Sequence, residues 1–176
     1  MNIIVTPDPS NSKRGNVRWR RRSAPCALGR SGVIAENAKR EGDGATPIGR
    51  FALRRVLWRA DRGAAPPTAL PCAAIDRRDG WCDDPSRPEY NRKVRLPFGG
   101  SAESLWRDDA LYDLVVVLGH NDAPPRPGLG SAIFVHVAAP GFKPTEGCIA
   151  MEQSALRALI FDARPGDTLT IEVPER

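Results

Sequence analysis

The sequence predicts a mainly β protein, either a β-sandwich or a partly closed barrel of mixed sheets with one or two short helices. Glycine and proline are frequent, at 16 and 17 of 176 residues, and they divide the chain into short segments. Most apolar runs between these breaks have the length of a strand rather than of a helix. This length and the 41% hydrophobic content suit one core, so we predict that residues 1–176 form a single domain.

The predicted strands are runs of apolar and β-branched residues that turn residues separate. In chain order they cover residues 3–5, 32–35, 49–58, 114–118, 132–137 and 168–173. The run 114–118 is apolar throughout, which is typical of a central strand with both faces buried. The run 168–173 alternates between apolar and polar residues and is predicted to be the last strand.

Two segments have helical features, and three are predicted to be loops. Glu152 to Ala163 is predicted to be an amphipathic helix, because its apolar residues recur on one face. Residues 101–106 begin with a serine that can cap a helix, so a second short helix is predicted there. The loops are residues 59–72, 76–92 and 122–130; long loops in a small domain commonly bind ligands.

The charge of the chain favours anionic partners without selecting one. The formal net charge is +5, and arginine and lysine are dense in residues 13–22. The simplest interpretation of this run is a solvated basic strand or tail. No nucleic-acid role is predicted, because Trp19 alone offers little surface on which bases could stack.

No membrane or export segment is predicted from the sequence. The chain has no run close to the roughly 18 apolar residues that span a bilayer. Its first residues, MNIIVTP, lack the basic segment followed by an apolar segment that marks a secretory signal. We therefore expect no export through a visible signal peptide.

The cysteines give no indication of a metal centre. They are Cys26, Cys72, Cys82 and Cys148, with no CxxC pair and no histidine at zinc spacing. Cys72 and Cys82 could form a disulfide if oxidised, although isolated buried thiols are the simpler expectation. We therefore predict no structural metal site.

Cys148 is the candidate nucleophile, and His136 is the candidate base. Gly147 lets the backbone beside Cys148 approach a substrate closely. The predicted helix would begin at Cys148, and its positive N-terminal potential would lower the pKa of the thiol. His136, at the end of strand 132–137, could accept the thiol proton. For a bare Cys–His pair, however, a buried cysteine and a satisfied core histidine is the more common case.

Two motifs in the same order as in a known family favour a catalytic pair over a buried cysteine and a core histidine. The segment TEGCI at residues 145–149 follows His136, and GATPIGRF occupies residues 44–51. Together they resemble the L,D-transpeptidase (YkuD-type) catalytic domain, with its strand-end histidine, its Ser/Thr-His-Gly-Cys-Ile/Val-Arg segment and its upstream Thr-Pro-x-Gly-x-Phe segment. The resemblance extends from about residue 29 to residue 173.

The chain departs from the family pattern at three points. Glu146 replaces the usual histidine before the glycine, and Ala150 replaces the usual arginine after the isoleucine. The spacing from histidine to cysteine is also shorter. Since the missing arginine removes a cation from the site, Arg50 or the Lys39–Arg40 pair could supply one instead.

The resemblance implies a peptidoglycan L,D-transpeptidase. Cys148 would be the nucleophile and His136 its base, with Gly147 and Thr145 forming the turn that binds the oxyanion. Donor and acceptor stem peptides would be the partners, with no cofactor, and we expect a monomer. The family works outside the cytoplasmic membrane, in the periplasm or cell wall; the lack of a visible signal leaves a cytoplasmic location open.

Further residues are weaker candidates for substrate binding. His120 and Asn121 follow strand 114–118 and could face the same cleft, where His120 would compete with His136 as the base. A histidine bonded to a loop carbonyl is an equally open interpretation. The loop 76–92 carries polar and aromatic residues suited to holding a peptide or sugar, or to packing on each other: Trp81, Asp83, Tyr90 and Asn91.

Two other functions stay open from the sequence. With water as the acceptor, the same cysteine would make a carboxypeptidase or an endopeptidase. A non-enzymatic binder of anionic polymer, acting through residues 13–22, is the less favoured alternative, because it leaves both motifs unexplained.

Overall fold

The computed structural model describes residues 1–173, so the last three residues of the predicted domain lie outside the described residues. About 40% of the chain is strand and 8% is helix, which confirms the mainly β class. The elements are β1 Asn2–Asp8, β2 Asn11–Trp19, β3 Arg22–Ala27, β4 Val33–Ala35, a 3-10 turn Glu36–Ala38, β5 Thr46–Trp58, β6 Cys72–Ala74, β7 Asp79–Cys82, β8 Lys93–Arg95, β9 Ala102–Ser104, β10 Leu114–Leu118, β11 Phe134–Val137, β12 Ile149–Met151, α1 Gln153–Asp162 and β13 Thr168–Ile171.

Eight strands close into a barrel in the order β10, β11, β12, β3, β2, β1, β13 and β5. Strand β5 returns to β10 in an antiparallel ladder from Leu114↔Trp58 onward, which completes the ring. The neighbours β1 and β13, and likewise β11 and β12, run parallel. Of the two predicted architectures, the barrel is therefore correct, and it is fully closed because the long strand β5 reaches both β13 and β10.

Alternation along the strands fills the barrel interior with apolar side chains. Ile3 and Val5 of β1 and Leu169 and Ile171 of β13 point inward and are almost completely buried. The predicted amphipathic helix is confirmed as α1, which adds its buried leucines and isoleucine to this core. The Glu152 side chain caps α1 by accepting two backbone N–H groups. No helix within residues 1–173 is long and apolar enough to cross a membrane.

Strand β10 is buried on both faces, as its apolar sequence predicts. Its residues Leu114, Val116 and Leu118 belong to the barrel core. Val115 and Val117 point outward into a second apolar cluster that also contains Phe134 of β11. A three-stranded sheet with the order β8, β7, β9 covers this outer face, because Trp81 of β7 packs edge-on against Phe134.

This small sheet corrects two predictions. Residues 101–106 form no helix, because Ala102–Ser104 is the strand β9 and pairs with β7. Residues 76–92 are not all loop, because they contain β7. A helix of six residues has little stability of its own, and ladder hydrogen bonds together with the packing of Leu105 outweigh a capping serine.

The basic segment 13–22 forms most of the β2–β3 hairpin rather than a tail. Val17 and Trp19 point into the core, whereas Arg18 lies between them on the solvent face. The prediction of a solvated basic strand is therefore correct for the outward-facing residues.

Candidate active site

A cleft of about 550 Å³ lies beside strands β11 and β12, and the small sheet contributes one of its walls. Cys148 and His136 both line it. The cleft also receives residues from the loop before β5 and from the segment after β11, including Lys39, Glu41, Lys143, Thr145 and Glu146. The structure thus brings the two predicted catalytic residues to one concave surface.

The parallel register of β11 and β12 explains why these two side chains meet. His136 is opposite Ala150, and Cys148 precedes Ala150 by two residues, so both side chains leave the same face of the barrel wall. The adjacent residues Val135 and Ile149, which pair with each other, point inward to the core.

Cys148 does not begin a helix, and this corrects the prediction. It precedes the strand β12, and α1 starts only at Gln153. Residues 149–151 are extended because β12 pairs with β11 on one side and with β3 on the other. The positive potential of a helix N-terminus fades within one turn, so α1 does not activate this thiol.

The thiol of Cys148 is held in a neutral, partly buried environment. Its Sγ accepts a hydrogen bond from the Phe134 N–H at 3.3 Å and lies 3.8 Å from the Ala132 carbonyl oxygen. Burial raises the pKa of the Cys148 thiol to about 12, and the Phe134 N–H opposes this rise only in part. The resting site therefore contains a protonated thiol at neutral pH.

His136 is a buried neutral imidazole with one nitrogen anchored. It is 5% exposed, and its Nδ1 donates a hydrogen bond to the Val137 carbonyl oxygen at 2.8 Å. Since a carbonyl only accepts, this contact assigns the proton to Nδ1 and leaves the Nε2 lone pair free to act as a base. Burial, with a smaller contribution from the positive charge of Arg107, lowers the pKa of His136 to about 4. Within the described residues, no hydrogen bond joins His136 to the Cys148 sulfur.

Thr145 and Gly147 shape the turn that presents Cys148. The Thr145 Oγ1 donates to the Cys148 carbonyl oxygen at 2.6 Å and accepts from the Gly147 N–H at 3.1 Å. Gly147 has φ of +132°, and a Cβ there would lie 2.9 Å from the Ala45 carbonyl oxygen. Only glycine fits this position. Any other residue would have an unfavourable φ, and its side chain would collide with the backbone of the GATPIGRF segment at residues 44–51.

The cleft is also lined by Glu103, Arg107 and Tyr112, which were not predicted from the sequence. The Tyr112 ring packs edge-on against His136, with centroids 5.3 Å apart, and the Tyr112 OH donates to Glu103 Oε1 at 2.7 Å. Arg107 lies 3.7 Å from the same oxygen and binds Asp109 through two hydrogen bonds. Glu103 was not among the predicted site residues, because it belongs to the segment 101–106 that was predicted to be a helix. As a strand residue paired with Trp81, it points to the cleft.

The candidates on loop 76–92 divide into two groups. Trp81 and Asp83 line the cleft. Tyr90 and Asn91 do not line it, and they brace its wall instead. Tyr90 OH donates to Glu41 at 2.5 Å, while Asn91 accepts from the Trp81 indole N–H and donates to the carbonyl oxygens of residues 120 and 121.

His120 and Asn121 lie outside the cleft and line a separate cavity. His120 is 3% exposed, its ring packs edge-on against Phe51, and its Nε2 lies 3.3 Å from the Leu129 carbonyl oxygen. Asn121 fastens the loop 122–130 through the carbonyl oxygens of Arg126 and Gly130. The chain turns away after β10, so a histidine two residues beyond that strand faces another surface.

Of the three residues expected to replace the family's arginine as a cation in the site, only Lys39 lines the cleft. Arg50 is exposed on β5 and donates to Thr168, outside the cleft. Lys39 does line the cleft and forms an ion pair with Asp43 at 2.5 Å, whereas Arg40 does not line it. Glu146, in the place of the family's histidine, forms an ion pair with Arg30 at 2.7 Å at the rim.

The remaining cysteines and potential metal ligands stand apart from this cleft. Cys26 and Cys82 are buried, whereas Cys72 is exposed, in contrast to the expectation of buried thiols. All four cysteines are free. Within residues 1–173, no three histidine, cysteine, aspartate or glutamate side chains are grouped as a metal site.

The comparison with protein-family models agrees with the motifs. The model of the YkuD family, described as an L,D-transpeptidase catalytic domain, matches residues 10–172. No curated protein sequence gives a match. Among solved structures, L,D-transpeptidase 1 of Mycobacterium tuberculosis is 14% identical with a TM-score of 0.40, over 96% of this chain and 58% of that one. An L,D-transpeptidase from Mycobacterium smegmatis gives the same identity and TM-score, over 97% of this chain. The chain thus spans 58% of the length of either structure.

Proposed function

Because the chain belongs to the L,D-transpeptidase catalytic domain family, we propose that it is a peptidoglycan L,D-transpeptidase with Cys148 as its nucleophile. The observation that carries this proposal is the shared cleft, in which Cys148 and His136 leave one face of the barrel wall beside the Gly147 turn. A nucleophile, a base and a concave surface are the minimum that acyl transfer needs.

Acylation begins with the thiol and the imidazole both uncharged. His136 Nε2 takes the proton from Cys148 as the sulfur attacks the carbonyl carbon at the L-centre of diaminopimelate in a donor stem. The backbone around Gly147 and Cys148 stabilises the tetrahedral oxyanion. The carbon–nitrogen bond then breaks, the amine leaves with the proton from His136, and a thioester remains on Cys148.

The neutral resting pair favours general-base catalysis over a preformed ion pair. Burial holds the pKa of the thiol high and that of the imidazole low, so neither group is charged before substrate binds. The Val137 carbonyl oxygen orients the imidazole and stabilises its protonated form during the reaction. A carboxylate partner for His136 is therefore unnecessary.

The thioester is resolved by the side-chain amine of a second stem, which forms a 3–3 or a 1–3 cross-link. Water in the place of this amine would give a carboxypeptidase or an endopeptidase. We place the reaction in the cell wall outside the cytoplasmic membrane, with a monomer as the working unit.

Purified protein incubated with tetrapeptide muropeptides tests the proposal, with products separated by mass spectrometry. We expect cross-linked dimers with the wild type and none with Cys148→Ala. Trimmed monomers alone would identify a hydrolase, and unchanged substrate would contradict the proposed activity.

A carbapenem gives an independent test of the nucleophile. Intact-mass measurement should find one adduct on the wild type and on Cys72→Ala, which removes the exposed thiol, but none on Cys148→Ala. An adduct that survives in Cys148→Ala would contradict the assignment of the nucleophile.

A further inference from the structure

The small sheet contributes a carboxylate to the cleft that acylation does not use. Glu103 of β9 pairs with Trp81 of β7, so the two side chains leave the same face of the sheet. Both line the cleft together with Cys148 and His136. Acylation by Cys148 and His136 needs no contribution from Glu103, although Glu103 lines the same cleft.

One oxygen of this carboxylate is fixed, and the other is free. Glu103 Oε1 accepts from the Tyr112 OH at 2.7 Å and lies 3.7 Å from an Arg107 nitrogen. Within residues 1–173, no group forms a hydrogen bond with Oε2. The side chain is 36% exposed and lines the cleft, so a molecule bound there can reach the carboxylate.

The charge of Glu103 opposes the first half of the reaction. Burial is the main cause of the raised pKa of Cys148, and the negative charge of Glu103 raises it further. The two groups therefore lie within electrostatic range. A carboxylate that makes a thiolate harder to form gives no benefit during acylation, so a role in the second half of the reaction explains its position better.

The second half requires a proton acceptor for the incoming amine. A side-chain amine has an ordinary pKa of about 10.4, so at neutral pH it arrives as an ammonium ion with no lone pair for attack. On the basis of the proposed transpeptidase function, we propose that Glu103 binds the acceptor ammonium through its free oxygen and removes one of its protons. Tyr112 and Arg107 hold the carboxylate in the orientation that this contact needs.

The proposed step balances in atoms and charge. The ammonium gives one proton to Glu103 Oε2, and the amine nitrogen attacks the thioester carbonyl carbon. The carbon–nitrogen bond forms, the carbon–sulfur bond breaks, and sulfur leaves with the electron pair. A second proton passes from nitrogen through His136 Nε2 to the sulfur, which restores the thiol. Glu103 then releases its proton to solvent.

Two acceptors of different charge isolate this step. Nα-acetyl-lysine presents an ammonium ion at neutral pH, whereas hydroxylamine is uncharged and needs no deprotonation before it attacks. The donor is the tetrapeptide muropeptide. Intact mass follows the acyl-enzyme on Cys148, and product mass follows its resolution by each acceptor.

With Glu103→Gln, we expect acylation to persist and resolution by Nα-acetyl-lysine to slow about 100-fold, while resolution by hydroxylamine stays within about threefold of wild type. Asp76→Asn is the matched control, because it removes an exposed carboxylate beside the same sheet that does not line the cleft. In this variant, both acceptors should resolve the acyl-enzyme at wild-type rates.

Three results would overturn the inference. Equal slowing with both acceptors in Glu103→Gln would mean that the cleft is distorted, and equal slowing in Asp76→Asn would mean that only the general negative potential matters. Unchanged rates in Glu103→Gln would remove Glu103 from the reaction. If the wild type forms no acyl-enzyme, the proposed function itself fails, and the role of Glu103 fails with it.

Discussion

The two histidines of this chain occupy similar environments and lead to different conclusions. His136 and His120 are both nearly inaccessible to solvent, and burial lowers the pKa of each to about 4. Each ring packs edge-on against an aromatic ring, Tyr112 in one case and Phe51 in the other. Each ring also has one nitrogen near a backbone carbonyl oxygen.

The surroundings of the second nitrogen distinguish the two regions. The His136 ring lines the cleft that contains Cys148 and the carboxylate of Glu103. The His120 Nδ1 is buried without a hydrogen-bond partner among the described residues, and no cysteine lines its cavity. A buried histidine with a lowered pKa is therefore not by itself a sign of catalysis, because desolvation produces the same shift wherever a ring is enclosed.

The largest expected difference between the two regions is in acylation. His136→Asn should slow carbapenem acylation of Cys148 by about 10²- to 10⁴-fold, the range for loss of a general base. His120→Asn should stay within about threefold of wild type, because its ring does not reach the cleft. Stopped-flow loss of carbapenem absorbance gives both rates, and similar losses in the two variants would contradict the assignment of His136.

The turn beside Cys148 should be the next most sensitive feature. Gly147→Ala adds a Cβ at 2.9 Å from the Ala45 carbonyl oxygen at a positive φ, so we expect a loss of about 1–3 kcal/mol in unfolding free energy together with slower acylation. Gly128→Ala is the control near the His120 cavity, since its φ is +79° but no atom lies within 4 Å of the added Cβ. Urea unfolding of both variants measures the contribution of the clash.

In stability, the two histidines should behave alike. Since the pKa of each is lower in the folded state than in the unfolded chain, their contribution is complete above pH 6.5 and is lost as the pH falls toward 4. Between pH 7 and pH 5 this amounts to about 2 kcal/mol for each ring. Urea unfolding at both pH values should show a smaller acid loss in His120→Gln by about this amount. An unchanged loss would mean that the ring titrates normally.

The smallest expected effect is at the brace of the cleft wall. Tyr90→Phe removes the hydrogen bond to Glu41 and should lower the unfolding free energy by about 1 kcal/mol. Acylation of Cys148 by the carbapenem should change less than in Gly147→Ala, because Tyr90 acts on the wall and not on the turn. A larger effect on acylation than on stability would give Tyr90 a direct part in binding.

Local pattern predicted much of the fold. The six predicted strands all lie within or overlap observed strands, and the amphipathic helix is in place within one residue of each predicted end. Strand β3 was not predicted, and β2 was predicted only as a basic strand or tail. The other errors fall on short elements. Strands of three residues, such as β9 and β12, are too short for any periodicity, and they exist only because neighbouring strands offer hydrogen bonds.

The candidate site also contains some residues that the sequence predicted and others that only the tertiary structure brought to the cleft. The TEGCI motif and the histidine before it selected Cys148, His136, Thr145 and Gly147, and the structure assembles these four residues. Motif reasoning did not find Glu103, Tyr112 and Arg107, because no local pattern joins β9 to the segment before β10. It also misplaced His120 and Arg50, whose distance from Cys148 depends on strand order and not on sequence spacing.

The sequence by itself determined the class of the fold, the strongest strands and the candidate pair Cys148 and His136, since periodicity and the glycine-containing motif are properties of neighbouring residues. Only the tertiary structure decided that the barrel closes, that Cys148 precedes a strand and not a helix, and that a second sheet carries a carboxylate to the cleft. These features depend on contacts between residues far apart in the chain. Their free energy comes from burial and ladder hydrogen bonds that no local segment contains.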